Sequence, residues 1–232
     1  MWFLILIIVL ALVISSFLLN FYKDPKRIIP KGSNILAPAD GKVISIIDMS
    51  EIAKGKNSRV STQKKSAISE HDRKSLIFDT SKKIVKIKKG IIGKIKTLTK
   101  DVAKECYVIS IFMSPLDAHI NRAPIAGTIK SIRHTKGKFF KAYDLENSFE
   151  NEKNEIIIEN NKLKVKVIQI AGFLARRIIC NAKINQKVNK GNKIGMIALG
   201  SQTTLIIPSG VDLKVKVNDK VKAGETIIAF LK

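Results

Sequence analysis

The chain has 232 residues, 45% of them hydrophobic, and carries 42 Lys or Arg against 19 Asp or Glu for a formal net charge of +23. That length supports one medium domain, or one domain plus an anchor, without cross-links; Cys106 and Cys180 form no CxxC and read as buried free thiols of a reducing compartment. The charge would attract polyanions such as nucleic acid or anionic lipid, but lysines recur throughout, on strand faces too, so charge alone does not select a function.

In chain order, "MWFLILIIVLALVISSFLLNFY" holds no ionisable side chain except Tyr22 before Lys23. It is long enough to cross a bilayer as one helix, so residues 1–22 are predicted to be a transmembrane anchor. It lacks a basic start and a small-residue cleavage site, which predicts that it is retained. Lys23, Lys26, Arg27 and Lys31 follow, placing the body, residues 23–232, on the cytoplasmic side of the cell membrane with this basic cluster against anionic head groups.

Beyond the anchor, short apolar runs broken by Gly, Pro, Asn and Asp ("GKVISIID", "KIVKIKKGIIGKIKTL", "CYVISIFM", "EIIIEN", "KLKVKVIQIAG") predict a mainly β body with minor helix. Leu163, Val165 and Val167 alternate with Lys162, Lys164 and Lys166, as in a strand with one wet face. Residues 50–75 are polar and lysine-rich and read as an exposed loop. A loop or brief helix is expected over Lys138 to Asn147, and a short turn at the start of "SPLDAHINR".

Two internal echoes stand out. "PADGKVISI" at Pro38 and "PIAGTIKSI" at Pro124 share P-x-x-G-x-[VI]-x-S-I, and "NQKVNKGNKI" at Asn185 and "NDKVKAGETI" at Asn218 share N-x-K-V-x-x-G-x-x-I. Repeated hairpins of this kind predict a sheet folded on itself, a barrel-sandwich-like domain behind the anchor.

Few residues offer chemistry. His71, His119 and His134 are far apart and neither cysteine has a ligand neighbour, so no metal is expected, and no phosphate-cradling glycine motif is present. Asp40 lies in "APADGKV", which is also ordinary turn chemistry. "SPLDAHINRAP" gathers Asp117, His119, Asn121 and Arg122; strand alternation would put the first three on one face, and a solvated connection would look the same. "QIAGFLARRI" supplies Arg176 and Arg177, suited to a phosphate or carboxylate or to a solvated strand end. In "GMIALGSQTTLIIP" the pair Gly200–Ser201 lies between two strand-like runs, and Thr203 stands where a nucleophile elbow needs glycine.

In order, "FYKDPKRIIP", "APADGKV", "SPLDAHINR", "FENEKNEIII", "QIAGFLARRI" and "GMIALGSQ" resemble the phosphatidylserine decarboxylase proenzymes in their shorter form, from about Phe21 to Lys232. The resemblance implies self-cleavage between Gly200 and Ser201 into a beta chain, 1–200, and an alpha chain, 201–232, that remain together. Ser201 Oγ attacks the Gly200 carbonyl, the amide becomes an ester, and elimination leaves dehydroalanine, which hydrolyses to a pyruvoyl ketone. That covalent pyruvoyl group, from Ser201, would form a Schiff base with phosphatidylserine in an anionic membrane and release phosphatidylethanolamine and carbon dioxide.

The family pattern further implies His119 for proton transfer and Asp40 as the carboxylate that orients the base. Asn121, Arg122, Arg176 and Arg177 become substrate-binding candidates, Arg122 for the phosphate. Longer relatives carry a second histidine where this chain has Arg122, which cannot act as a base, so His119 serves both maturation and turnover or His134 helps. The resemblance leaves room for a homo-oligomer and gives no role to nucleic acid. The rival readings are a membrane-tethered, non-catalytic carrier-like or lipid-binding β module, and a nucleic-acid binder, which the lack of aromatics among the lysines disfavours.

Overall fold

The computed structural model describes residues 2–50, 94–137, 148, 150–172, 177–198 and 201–231, apart from the side chains at 13, 14, 16–18 and 20. Almost all of the loop expected over 50–75, and all of the stretch 138–147, lie outside the described residues. Residues Trp2–Phe21 form helix α1, whose described side chains are exposed from Trp2 to Leu12, while Phe21 at its end is buried against the body. Among the described residues no helix is long and apolar enough to cross a membrane.

The body is mainly β. Its strands are β1 (Asn34–Leu36), β2 (Gly41–Asp48), β3 (Cys106–Met113), β4 (Ile120–Arg122), β5 (Gly127–Thr135), β6 (Lys153–Glu159) and β7 (Lys164–Ile170). There follow β8 (Ile178–Cys180), β9 (Lys187–Val188), β10 (Lys193–Ile197), β11 (Ser201–Pro208), β12 (Val211–Leu213), β13 (Lys220–Val221) and β14 (Ile227–Leu231). A curled eight-stranded sheet runs β13-β2-β3-β11-β7-β6-β5-β9, beside two three-stranded sheets, β1-β14-β12 and β4-β10-β8. The core lies inside the curl, where Ile109, Ile111, Ile156, Ile158, Val165, Val167, Leu205 and Ile207 meet. Burying such aliphatic side chains contributes about 1.5–3 kcal/mol each.

The echoes are structural repeats. Leu36 N–H donates to the Pro124 carbonyl and Arg122 N–H to the Pro38 carbonyl, both at 2.9 Å, a reciprocal exchange about a pseudo-two-fold axis. Each copy of the second echo then closes on one copy of the first: Asn218 N–H meets the Val43 carbonyl as Asn185 N–H meets that of Ile129, both at 2.8 Å. Asn185 and Asn218 share positive φ (66° and 85°), as do Gly191 and Gly224 (83° and 76°). Even the irregularity repeats, with a register shift between Val43 and Ser45 in β2 and between Ile129 and Ser131 in β5.

Gly41 starts β2 at φ 139°, where a Cβ would stand 2.1 Å from the Phe112 carbonyl oxygen. Gly41→Ala is expected to lower stability by about 2 kcal/mol or more in urea unfolding. Gly210→Ala, where a Cβ meets nothing within 4 Å, should unfold close to the unaltered protein.

Four expectations are corrected. Residues 94–99, read as part of a strand, form a short helix that packs Ile95 and Leu98, three apart on one face, onto Cys106, Val108, Ile168 and Ile206. Lys166 is not on a wet face but fully buried, because this covering segment supplies the Leu98 carbonyl (2.8 Å) and Asp101 (3.2 Å), with Glu155 (3.2 Å) from β6. Cys106 is buried as expected, but Cys180 is exposed, since β8 is an edge strand paired only with β10. Arg27 does not lie against head groups: its side chain is 6% exposed and turned inward onto Asp40.

Candidate active site

Ser201 opens β11 opposite Met113 of β3, and one residue on, Gln202 pairs with Ile170 of β7. Its side chain is fully buried and Oγ donates to Met113 Sδ at 3.4 Å, a weak acceptor. Leu199 and Gly200 lie outside the described residues. On the near side of that gap, Ile197 at the end of β10 donates its N–H to the His119 carbonyl at 3.3 Å, so the strand leading to Ser201 runs beside His119.

His119 lies just before β4, after a turn closed by Asp117 N–H to the Ser114 carbonyl (3.0 Å) and by Ser114 N–H to Asp117 Oδ2 (2.7 Å). The short turn expected in "SPLDAHINR" is there, and it takes Asp117 off the shared face. The imidazole is wholly buried under the ring of Phe21, 4.1 Å between centroids. Nδ1 lies 2.8 Å from the Asp117 carbonyl. A carbonyl can only accept, so Nδ1 carries the proton and Nε2 keeps its lone pair. Among the described residues Nε2, which is buried, has no hydrogen-bond partner. Burial pushes the His119 pKa below the ordinary imidazole value, against smaller opposing effects of the Asp117 carbonyl and the charges of Asp117 and Asp40.

Asp40 is near enough for its charge to act on His119, but its oxygens are engaged elsewhere. Arg27 donates to both (2.9 and 2.8 Å) and Ala223 N–H to Oδ1 (2.7 Å). Asp40 and His119 therefore influence one another through the field rather than through a triad-type hydrogen bond. The segment after α1 forms a strap over the pseudo-two-fold: Arg27 holds Asp40 on one side and Asp24 pairs with Arg122 on the other. Between them Ile29 lies over Gly191 and Gly224, where a Cβ would come within 2.4 and 3.3 Å of its Cδ1.

The remaining candidates divide. Asn121 is buried, donating to Thr203 Oγ1 at 3.0 Å and accepting from Gln169 at 2.9 Å. Arg122 binds Asp24 and the Gly191 carbonyl (2.9 Å) with its two terminal nitrogens. Arg177 is exposed, Arg176 lies outside the described residues, and His134 is bound at 2.8 Å to Glu152 on an exposed strand end. Sequence reasoning overlooked Phe21, Arg27, Met113, Gln169 and Thr203. Gln169 had a readable signal: it continues the inward phase of Val165 and Val167, where a polar side chain must find a buried partner. Among the described residues no group of three His, Cys, Asp or Glu could hold a metal.

The site thus combines a sealed hydroxyl held, among the described residues, only by sulfur with a buried imidazole in its proton-accepting form. The family model described as phosphatidylserine decarboxylase matches residues 14–229. The chain is 40% identical, over 94% of its length and 93% of the relative's, to a protein of Methanocaldococcus jannaschii provisionally named an archaetidylserine decarboxylase proenzyme. It is 36% identical to a phosphatidylserine decarboxylase proenzyme of Chlorobium phaeovibrioides, covering 95% of this chain and 80% of that one. A third such proenzyme, from Wolbachia of Brugia malayi, is 35% identical over 91% and 74%. No solved structure matches the chain.

Proposed function

The chain belongs to the phosphatidylserine decarboxylase family, and on that premise we propose that Ser201 is the residue it converts, by self-cleavage after Gly200, into a covalent pyruvoyl group. The protein is a decarboxylase that turns phosphatidylserine into phosphatidylethanolamine and carbon dioxide. The observation that carries the assignment to Ser201 is its setting: a fully buried hydroxyl at the head of a central strand, directly after a glycine in the sequence, with only a thioether for a partner among the described residues.

The surroundings fit such a group, because loss of Oγ with the Gly200 carboxylate leaves a methyl group in its place and strands no strong hydrogen-bond partner. A pyruvoyl group at residue 201 supplies an electrophilic carbonyl that takes up the substrate amine and accepts the electron pair released with carbon dioxide. His119 Nε2, a buried basic lone pair without a partner among the described residues, takes the proton of Ser201 Oγ during maturation and returns a proton to the substrate carbon in turnover. Phe21 covers the imidazole and excludes water from it. Asp40 favours the imidazolium that forms, from a position fixed by Arg27 and the Ala223 amide. Arg177, with an exposed side chain, is the candidate to meet the lipid phosphate together with Arg176. Arg122 and Asn121 support the site from within the protein.

The exposed apolar side chains of α1 from Trp2 to Leu12 suit contact with lipid. Residues 1–22 would then anchor the body, 23–232, at the cytoplasmic face of the cell membrane. Since Phe21 ends α1 and lies on His119, that anchor would set the site at the lipid surface where its substrate resides.

Intact mass under denaturing conditions tests the assignment. The expected result is a chain ending at Gly200 and a second beginning at residue 201 with the mass of pyruvoyl in place of serine. A full-length chain that stays whole on incubation with phosphatidylserine vesicles would overturn it.

A further inference from the structure

A line of buried amides crosses the interior toward Ser201. Asn154 Nδ2 of β6 donates to Gln169 Oε1 of β7 at 2.9 Å, Gln169 Nε2 donates to Asn121 Oδ1 of β4 at 2.9 Å, and Asn121 Nδ2 donates to Thr203 Oγ1 at 3.0 Å. All four side chains are almost wholly buried. Gly195 of β10 leaves the room for it, since a Cβ there would stand 2.6 Å from Gln169 Nε2. Each link donates to the next, so the three amides share one sense and turning one over disrupts its neighbours.

The line ends on Met113 Sδ, which receives Thr203 Oγ1 and Ser201 Oγ, both at 3.4 Å, and Asn121 Nδ2 at 3.8 Å. Three donors compete there for one weak acceptor. Asn121 Nδ2 has Thr203 as its nearer partner and that bond fixes Thr203 Oγ1 in place, so Ser201 Oγ shares the sulfur with a positioned donor and its proton is loosely held and open to a base.

Resting on the self-cleavage reading above, we propose that Gln169 is a positioning residue for maturation: its N–H fixes the sense of the Asn121 amide, which keeps the Ser201 hydroxyl loosely bound on Met113. Gln169→Glu isolates this role. A carboxylate of the same shape still accepts from Asn154, but it cannot donate to Asn121 Oδ1. The Asn121 amide then turns over to donate to the carboxylate, and its carbonyl faces Thr203 and Met113. Thr203 donates to that carbonyl, the competition for the sulfur ends, and the Ser201 hydroxyl is held in place. Protonation of the introduced carboxyl restores a donor and with it the original sense.

The test is the rate at which the full chain, made by cell-free synthesis, splits into two chains on denaturing gels across a range of pH, for Gln169→Glu and the unaltered chain in parallel. The expected result is splitting at least about tenfold slower at pH 8, with the ratio to the unaltered chain recovering as pH falls and the melting temperature within a few degrees. Equal rates at all pH, or a slowing that does not recover at low pH and follows a lower melting temperature, would overturn the inference. If Gln169→Glu does not fold, Gln169→Met, which removes donor and acceptor together, should split more slowly at every pH; splitting at the unaltered rate overturns the inference equally. An unaltered chain that never splits defeats the self-cleavage reading itself, and this inference with it.

Discussion

Ser201→Ala should remain one chain of full mass and decarboxylate no phosphatidylserine. The substitution deletes one oxygen from a buried site whose only hydrogen bond among the described residues is to a thioether, so the fold should lose little. The chemistry loses everything, because Oγ is both the nucleophile for the Gly200 carbonyl and the atom that must leave in the elimination to dehydroalanine. Gel mobility, intact mass and product formation from phosphatidylserine vesicles read the result together. Two chains with normal turnover would remove Ser201 from the mechanism.

His119→Gln should slow self-cleavage by about 10²–10⁴-fold, the usual worth of a positioned acid or base. Glutamine keeps a polar side chain in the buried place but has no titrating group. The pH profile of the unaltered chain gives a second check. Burial holds the His119 pKa below its ordinary value, so the proton-accepting form should persist as pH falls past about 6.5 and the rate should decline only below that. The same shift acts on stability: the unfolded chain takes up the proton first, so this contribution is complete above about 6.5 and is lost as pH falls through the folded value. A rate that halves at or above the ordinary imidazole value would assign the proton transfer to another group.

Much of the fold was legible because it rests on local pattern. The alternation around Leu163 to Val167 matched β7, and the two echoes marked repeats that recur down to their positive-φ asparagines and register shifts. Their strands do not form the expected hairpins, however: β9 pairs with β5 and β13 with β2. What escaped were partners brought in from far along the chain. Lys166 looked solvated because Asp101 and Leu98, which bury it, are more than sixty positions earlier. Strand phase alone concealed the 94–99 helix, although Ile95 and Leu98 carry helical spacing.

The site was legible as residue types and not as connections. His119 and Ser201 could be named from short motifs, yet the carboxylate expected to touch the imidazole is held by Arg27, a residue that composition had assigned to the lipid surface. Arg122 similarly looked like a phosphate ligand until Asp24, almost a hundred positions earlier, was found bound to it. The Gln169 line was invisible because its members come from β4, β6, β7 and β11, and only the folded sheets bring them into sequence.

β11 lies between β3 and β7 in the middle of the eight-stranded sheet, and β12, β13 and β14 follow it into all but one of the sheets. Scission just before β11 would therefore convert a covalent segment into a tightly held peptide ligand of its own fold. From that moment unfolding changes molecularity: the precursor melts as a single species, whereas the mature protein dissociates, and its midpoint acquires a dependence on concentration. Dilution, harmless to the precursor, becomes a force acting against the enzyme.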